Sequence, residues 1–358
     1  MEELEMNNFY NGKKVFITGH TGFKGAWMCQ VLLQLGANLT GYALSPIKPS
    51  LFDALDLNNR MQSIIGDIRD FSRLKQSVAS FQPEIVIHMA AQPLVIDSYD
   101  NPTYTYETNV MGTAYILEAV RNTDSIKSFI NITTDKVYNN KEWDWGYREI
   151  DELNGYDPYS NSKSCSELVT DSFRKSFFQS RDIAISTVRA GNVIGGGDFS
   201  ANRIIPDCVR AALLKSNIEV RNAASIRPYQ HVLDPIFAYL MIAEKQFYNK
   251  TVSGAYNIGP DEKDCVTTKC LVDLFCRIWG EGQRWESKSM KGPHEAGFLK
   301  LDCSKMKNTF QWHPVWNIEE AMKKTIELYK VHSNGENILP CISEQIKLFL
   351  DAKNLTRS

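Results

Sequence analysis

Short apolar runs of β-forming residues recur along this chain, each followed by a segment long enough for a helix, and this alternation restricts the fold more than any other feature. Lys13-Lys-Val-Phe-Ile-Thr-Gly19 opens the series as a buried strand, and residues 22–36 read as a helix that stops at a glycine. Further strands are expected at 38–44, 64–67, 85–90, 129–133 and 183–189. Runs that are apolar throughout belong in sheets buried on both faces, joined by right-handed crossovers. The expected fold is therefore α/β, a Rossmann-type parallel sheet with helices on both faces and a smaller C-terminal substrate-binding lobe. That lobe is expected to start where regularity falls, at the glycine-rich stretch Gly191-Asn-Val-Ile-Gly-Gly-Gly-Asp198. Residues 1–190 are assigned to the sheet domain, with 231–258 and about 311–358 returning to it, and residues 191–230 and 259–310 to the lobe.

Composition excludes several classes of function. A chain of 358 residues with a formal net charge of -2 and 23% charged residues has no general attraction to nucleic acid or anionic membrane. Its eight cysteines are scattered, and the nearest pair, Cys265 and Cys270, lacks a metal or redox spacing. The six histidines form no ligand motif, so no metal is expected, and His88 reads as a core residue. The first residues, Met1-Glu-Glu-Leu-Glu-Met, are acidic where a secretory signal would be basic, and no apolar run has membrane-spanning length. A soluble, cytoplasmic protein is expected.

Between the first strand and first helix lies Thr18-Gly19-His20-Thr21-Gly22-Phe23-Lys24-Gly25. Glycines there permit a tight turn and close backbone approach, while the helix N-terminus offers amide donors to a pyrophosphate. The seven residues Gly19, His20, Thr21, Gly22, Phe23, Lys24 and Gly25 are thus candidate dinucleotide contacts. An acid that would bind the adenosine ribose is commonly found near the end of the second strand; here Ser45 stands there, with Lys48 nearby. NAD is expected in preference to NADP. Asp67 and Ile68, after the third strand, are expected to bracket the adenine, and Ala90 and Ala91, after the fourth, to leave room for the cofactor chain.

Tyr159 and Lys163 are four residues apart and fall on one helical face, so the ammonium can sit beneath the phenol and favour its ionised form. Thr134-Asp135-Lys136 lies shortly before them. Together these residues read as two acid/base devices in one pocket, one suited to moving a hydride and the other to removing water.

The combination T-G-x-x-G-x-x-G at 18–25, Ala90-Ala91 and Y-x-x-x-K at 159–163 resembles the extended short-chain dehydrogenase/reductase family over nearly the whole chain. Within it, Ala90-Ala-Gln-Pro-Leu-Val95, Thr108-Asn-Val-Met-Gly-Thr113, Ala190 to Asp198 and Arg227-Pro-Tyr-Gln-His-Val-Leu233 are similar to the branch that dehydrates CDP-linked glucose. The resemblance implies that Tyr159 takes a proton from a sugar hydroxyl, that Lys163 binds the nicotinamide ribose, and that Thr134 orients the hydroxyl. It also implies Asp135 as acid and Lys136 as the base at C5, where related enzymes carry glutamate. A free lysine has a pKa of roughly 10.4, so a lysine base needs surroundings that disfavour the ammonium. Asn192, Arg203, Arg227 and His294 are the candidates for the substrate, a CDP-linked hexose. A homodimer through helices of the large domain, around 110–120 and 165–169, is also implied. A 4-epimerase of nucleotide sugars and a non-catalytic NAD-binding regulator are the competing readings.

Overall fold

The computed structural model describes residues 8–288 and 297–355. Seven parallel strands form the main sheet: β1 (Lys14–Thr18), β2 (Asn38–Ala43), β3 (Gln62–Ile65), β4 (Ile85–His88), β5 (Ser128–Ile132), β6 (Ala184–Ala190) and β7 (Ala255–Ile258). Their order is β7-β6-β5-β4-β1-β2-β3. The chain runs outward from β1 to β3, then returns to the other side of β1 with β4. That reversal leaves a crevice at the carboxyl ends of β1 and β4, where ligands bind in open α/β sheets.

The strands are apolar throughout because they serve two cores. Val15, Ile17, Ile85, Ile87, Ile130 and Val188 face a core shared with helix α1 (Phe23–Gln34), while Phe16, Val86, Phe129 and Ile185 face another, shared with Ile116, Leu117 and Val120. Consecutive residues alternate between faces with the two-residue period of a strand. Fully burying each of these side chains contributes about 1.5–3 kcal/mol.

Helix α2 (Pro158–Phe173) starts where Asp157 accepts the amide of Ser160 at 2.9 Å, with proline at its first position. Helix α3 (Leu233–Tyr248) is buried almost throughout in the core that contains α1.

A separate apolar cluster, including Ile205, Val209, Leu271, Phe275 and Trp279, forms the core of the smaller lobe. Two segments pack differently from the division drawn above. Met306 and Phe310 lie in the core of the main sheet, and helix Ile318–Ser333 inserts Ala321, Met322, Ile326 and Tyr329 into the small core while Leu328 faces the large one. The periodicity of that helix marks its apolar stripe but not which core receives it. Among the described residues, no helix is long and apolar enough to cross a membrane.

Candidate active site

The turn after β1 forms a cradle at the crevice. Gly19 has φ +79°, and a Cβ there would lie 2.7 Å from the Ala90 amide nitrogen, so the ends of β1 and β4 meet as bare backbone. At Gly25 a Cβ would lie 2.1 Å from the Gly19 carbonyl oxygen, so this glycine lets α1 pack against its own turn. Gly22 differs: a Cβ there would make only ordinary contact, at 3.5 Å, and the residue is exposed. It is also the N-cap of α1, with no side chain capping the helix and no acid in its first turn. An exposed glycine at an uncapped helix N-terminus fits a dinucleotide pyrophosphate.

The other residues expected around the cofactor divide into crevice wall and internal packing. Thr21 donates its hydroxyl to the Leu44 carbonyl at 2.9 Å, tying the turn to the end of β2, and Ser45 is exposed just beyond. The His20 ring is wholly buried against Gly41, Ser63 and Phe52, with Nε2 2.7 Å from the Ser63 hydroxyl. Burial lowers its pKa to about 4, so the ring is a neutral wedge and His20 brings only backbone to the turn. Asp67 is held by Arg69 at 2.7 Å, which keeps its carboxyl below the usual range, and Ile68 is buried against Gly112. Thr18 links the two strand ends, its hydroxyl accepting the amides of Met89 and Ala90 at 3.1 Å and lying 2.7 Å from His88 Nδ1. His88 is core, as its sequence context indicated, and burial lowers its pKa to about 3.

Both proposed acid/base devices lie at the end of β5, and hydroxyls connect them. Thr134 donates to Asp135 Oδ1 at 3.0 Å and shares a hydrogen bond with the Tyr159 phenol. Asp135 is buried, and its Oδ2 has no hydrogen-bond partner among the described residues. Burial raises its pKa against the opposing effects of Lys136, the Thr134 hydrogen bond, Arg227 and Lys24. Its carboxyl is thereby biased toward the protonated form that an acid catalyst needs. Lys136 is half-buried and makes no ion pair with Asp135 within 4.0 Å.

Burial, not Lys163, is the largest influence on the Tyr159 phenol. Burial pushes the phenol up to about 12, opposed by the Thr134 hydrogen bond and the Arg203 charge. The Lys163 ammonium is itself buried and donates to the Ile132 carbonyl at 3.2 Å. Burial lowers its pKa to about 8, with Glu167 opposing. In the protein alone, desolvation of both groups outweighs their i, i+4 proximity.

The pocket is strongly cationic. Lys24 turns back from α1 over the Tyr239 ring, 5.9 Å from its centroid, and reaches the field of Arg203, Lys163 and Asp135. Burial, with the first two of these charges, lowers its pKa to about 8. Its place in the glycine turn marked Lys24 as a cofactor contact, but not this reach toward Asp135 and Lys163. Arg203 pairs with Asp198 at 2.9 Å, and Arg227 is buried near Asp135. The Asn192 side chain is partly exposed at the start of the second lobe, where its carbonyl accepts the Gln230 amide at 2.9 Å. Trp27 fixes that loop over the crevice through a 3.0 Å hydrogen bond to the Gly196 carbonyl. His294 lies outside the described residues.

Residues 16–325 match the family model described as GDP-mannose 4,6 dehydratase. The chain is 47% identical to the CDP-glucose 4,6-dehydratase of Salmonella typhimurium, over 96% of this chain and 98% of that protein. It is 26% identical to the CDP-paratose 2-epimerase of Salmonella typhi, over 87% of this chain and 97% of that one. Among solved structures, a UDP-glucose 4-epimerase from Thermotoga maritima superposes with a TM-score of 0.79 at 22% identity, covering 90% of this chain and 99% of that one. A dTDP-glucose 4,6-dehydratase from Bacillus anthracis, in complex with NAD, gives 0.77 at 21% identity, covering 92% and 100%. These two likenesses show the fold. With the family model matching most of its length, the chain belongs to the GDP-mannose 4,6 dehydratase family of extended short-chain dehydrogenase/reductases.

Proposed function

We propose that this protein converts CDP-D-glucose to CDP-4-keto-6-deoxy-D-glucose and water, using bound NAD. The observation that carries this reading is the second acid/base pair, Asp135 and Lys136, joined through Thr134 to Tyr159. Inverting C4 of a sugar requires no group that eliminates water, whereas a 4,6-dehydratase requires an acid and a base for that task. The choice of CDP rests on the 47% identity to a CDP-glucose 4,6-dehydratase.

Gly19, Gly22 and Gly25 with the α1 N-terminus would hold the NAD pyrophosphate, and Lys163 the nicotinamide ribose. When bound, NAD accepts a hydride from the sugar and returns it within one turnover, so the reaction needs no external oxidant. Tyr159 takes the proton of the C4 hydroxyl, with Thr134 orienting that hydroxyl. The resulting C4 ketone acidifies the C5 proton, which Lys136 removes while Asp135 protonates the departing C6 hydroxyl; the C6–O bond breaks, water leaves, and the C5=C6 double bond that remains takes back the hydride at C6 and a proton from Lys136 at C5. Asn192, Arg203 and Arg227 are assigned to the substrate pyrophosphate, and His294 to the same site from the sequence resemblance.

The same reading places the protein in the cytoplasm as a homodimer. Met111 and Leu168 are 44% and 56% exposed on the helices expected at that interface, whereas Ile116, Leu117 and Val120 pack within the chain. Incubation with NAD and CDP-, UDP-, GDP- or dTDP-glucose, followed by NMR of the sugar, tests the assignment. Loss of the 6-hydroxyl is expected with CDP-glucose. A C4-inverted sugar that keeps this hydroxyl, or preference for another base, overturns the corresponding part.

A further inference from the structure

Helix α2 grips the end of β5 at three successive residues. Tyr159 hydrogen-bonds Thr134, and Lys163 holds the Ile132 carbonyl at 3.2 Å. One turn further on, Glu167 accepts the Thr133 hydroxyl at 2.5 Å through Oε1. Its other oxygen accepts Thr187 at 2.6 Å and Arg189 at 2.9 Å, both on β6. Glu167 and Arg189 are each only 3% exposed. Arg189 in turn donates to the Tyr138 hydroxyl at 2.8 Å, and Tyr138 donates to Asn257 on β7 at 2.6 Å. The site residues on α2 and β5 are thus connected to two neighbouring strands through one buried carboxylate.

A buried ion pair is a poor source of net stability, because desolvating two charges offsets most of their attraction. An amide or a pair of apolar side chains would pack this position at less electrostatic cost. The charge therefore calls for another explanation, and the register of α2 supplies one: residues 159, 163 and 167 recur every four positions on one face. We propose that Glu167 is a positioning residue of the reaction, fixing Thr133 and hence Thr134 against Tyr159 and supplying the counter-charge to the Lys163 ammonium.

The charged and titratable groups that act on Lys163 are Glu167 on its own helix, His88 at the end of β4 and Lys24 on α1; beyond them, Asp135 acts on Lys24 and Arg189 on β6 pairs with Glu167. His88 is neutral through burial, and burial biases Asp135 toward its protonated form. Lys24 disfavours a second ammonium beside it. Glu167 acts in the opposite sense on Lys163, raising an ammonium pKa that burial lowers to about 8. Removing its charge must shift Lys163 deprotonation to lower pH.

This inference deepens the proposed reaction, but its main test needs neither substrate nor cofactor. In lysine-labelled protein, the Lys163 side-chain NMR signal, assigned by its loss in Lys163→Met, is followed through a pH titration. Glu167→Gln is expected to move the midpoint down by about one pH unit or more. Because that variant leaves Arg189 buried without its partner, Glu167→Gln/Arg189→Met is titrated as well and should move it in the same direction by a smaller amount, since the Arg189 charge is lost with it. Thr133→Val breaks the tie while keeping the charge: it should leave the midpoint in place and lower kcat about tenfold with little change in KM. An unchanged midpoint in the folded Glu167 variants, or unaltered kcat in Thr133→Val, overturns the corresponding half of the proposal. If the midpoint moves while no nucleotide sugar is dehydrated, the counter-charge assignment stands and the reaction assignment fails.

Discussion

The Thr134 hydroxyl donates to Asp135 at 3.0 Å and shares a hydrogen bond with Tyr159, so one short side chain joins the groups assigned to oxidation and to elimination. The two half-reactions are thereby distinguishable by mutation although their residues share one pocket.

Asp135→Asn should separate them. The variant keeps the hydrogen-bond acceptor for Thr134 but cannot give up a proton from a carboxylic acid. Dehydration should fall by about 10²–10⁴-fold. Reduced nicotinamide should still form when CDP-glucose is mixed with the NAD-loaded variant, as read by absorbance. Dehydration at the wild-type rate removes Asp135 from the acid role.

Lys136→Ala addresses the base. Exchange of the C5 hydrogen with solvent deuterium, read by mass spectrometry of the sugar, should slow by about 10²–10⁴-fold. Normal exchange would mean that another group removes the C5 proton. The absence of an ion pair to Asp135 makes the elimination role more economical than a purely structural one.

The three glycines of the turn should respond differently to alanine. In Gly25→Ala the new Cβ meets a backbone oxygen at 2.1 Å, which requires α1 to shift and should cost roughly 1–3 kcal/mol or more. Gly22→Ala has room, at 3.5 Å, and an extended backbone that alanine tolerates, so its melting temperature should remain near wild type while NAD binding weakens. Thermal denaturation and calorimetric titration separate the two effects. A stable Gly25→Ala variant would contradict the packing role.

Asp234 predicts a pH-dependent term in stability. Its carboxyl is buried, accepts the Val315 amide at 2.7 Å, and has a pKa raised from 3.8 to about 7, chiefly by burial. Between those values the folded protein holds a proton that the unfolded chain has lost. The contribution is fully present at pH below the unfolded value and disappears as pH rises through about 7. Asp234→Asn keeps the acceptor without the charge, so its melting temperature should fall less between pH 6 and 8 than that of the wild type. Equal slopes would assign the pH response elsewhere.

Much of this molecule is written in local sequence. The buried strands, the glycine turn, the Asp157-Pro158 start of α2 and the proximity of Thr134 to Asp135 depend on residues near one another in the chain, where backbone sterics and helical or strand periodicity act directly. The family resemblance then supplied the chemistry expected of those positions. Glu167 also left a local signal, since it continues the four-residue spacing of Tyr159 and Lys163.

Tertiary structure decided where side chains went and what charge they carry. Burial against β3 made His20 a neutral wedge, Arg69 occupied the Asp67 carboxylate, and Lys24 turned into the pocket over Tyr239. Burial also raised the Tyr159 pKa where sequence spacing alone pointed to a lower one. The sequence by itself determined the order of strands and helices and the residue types at the crevice, because hydrogen-bonding geometry and hydrophobic periodicity are local. Only the folded chain determined protonation and partnership, because desolvation and Coulomb forces depend on groups brought together from distant positions.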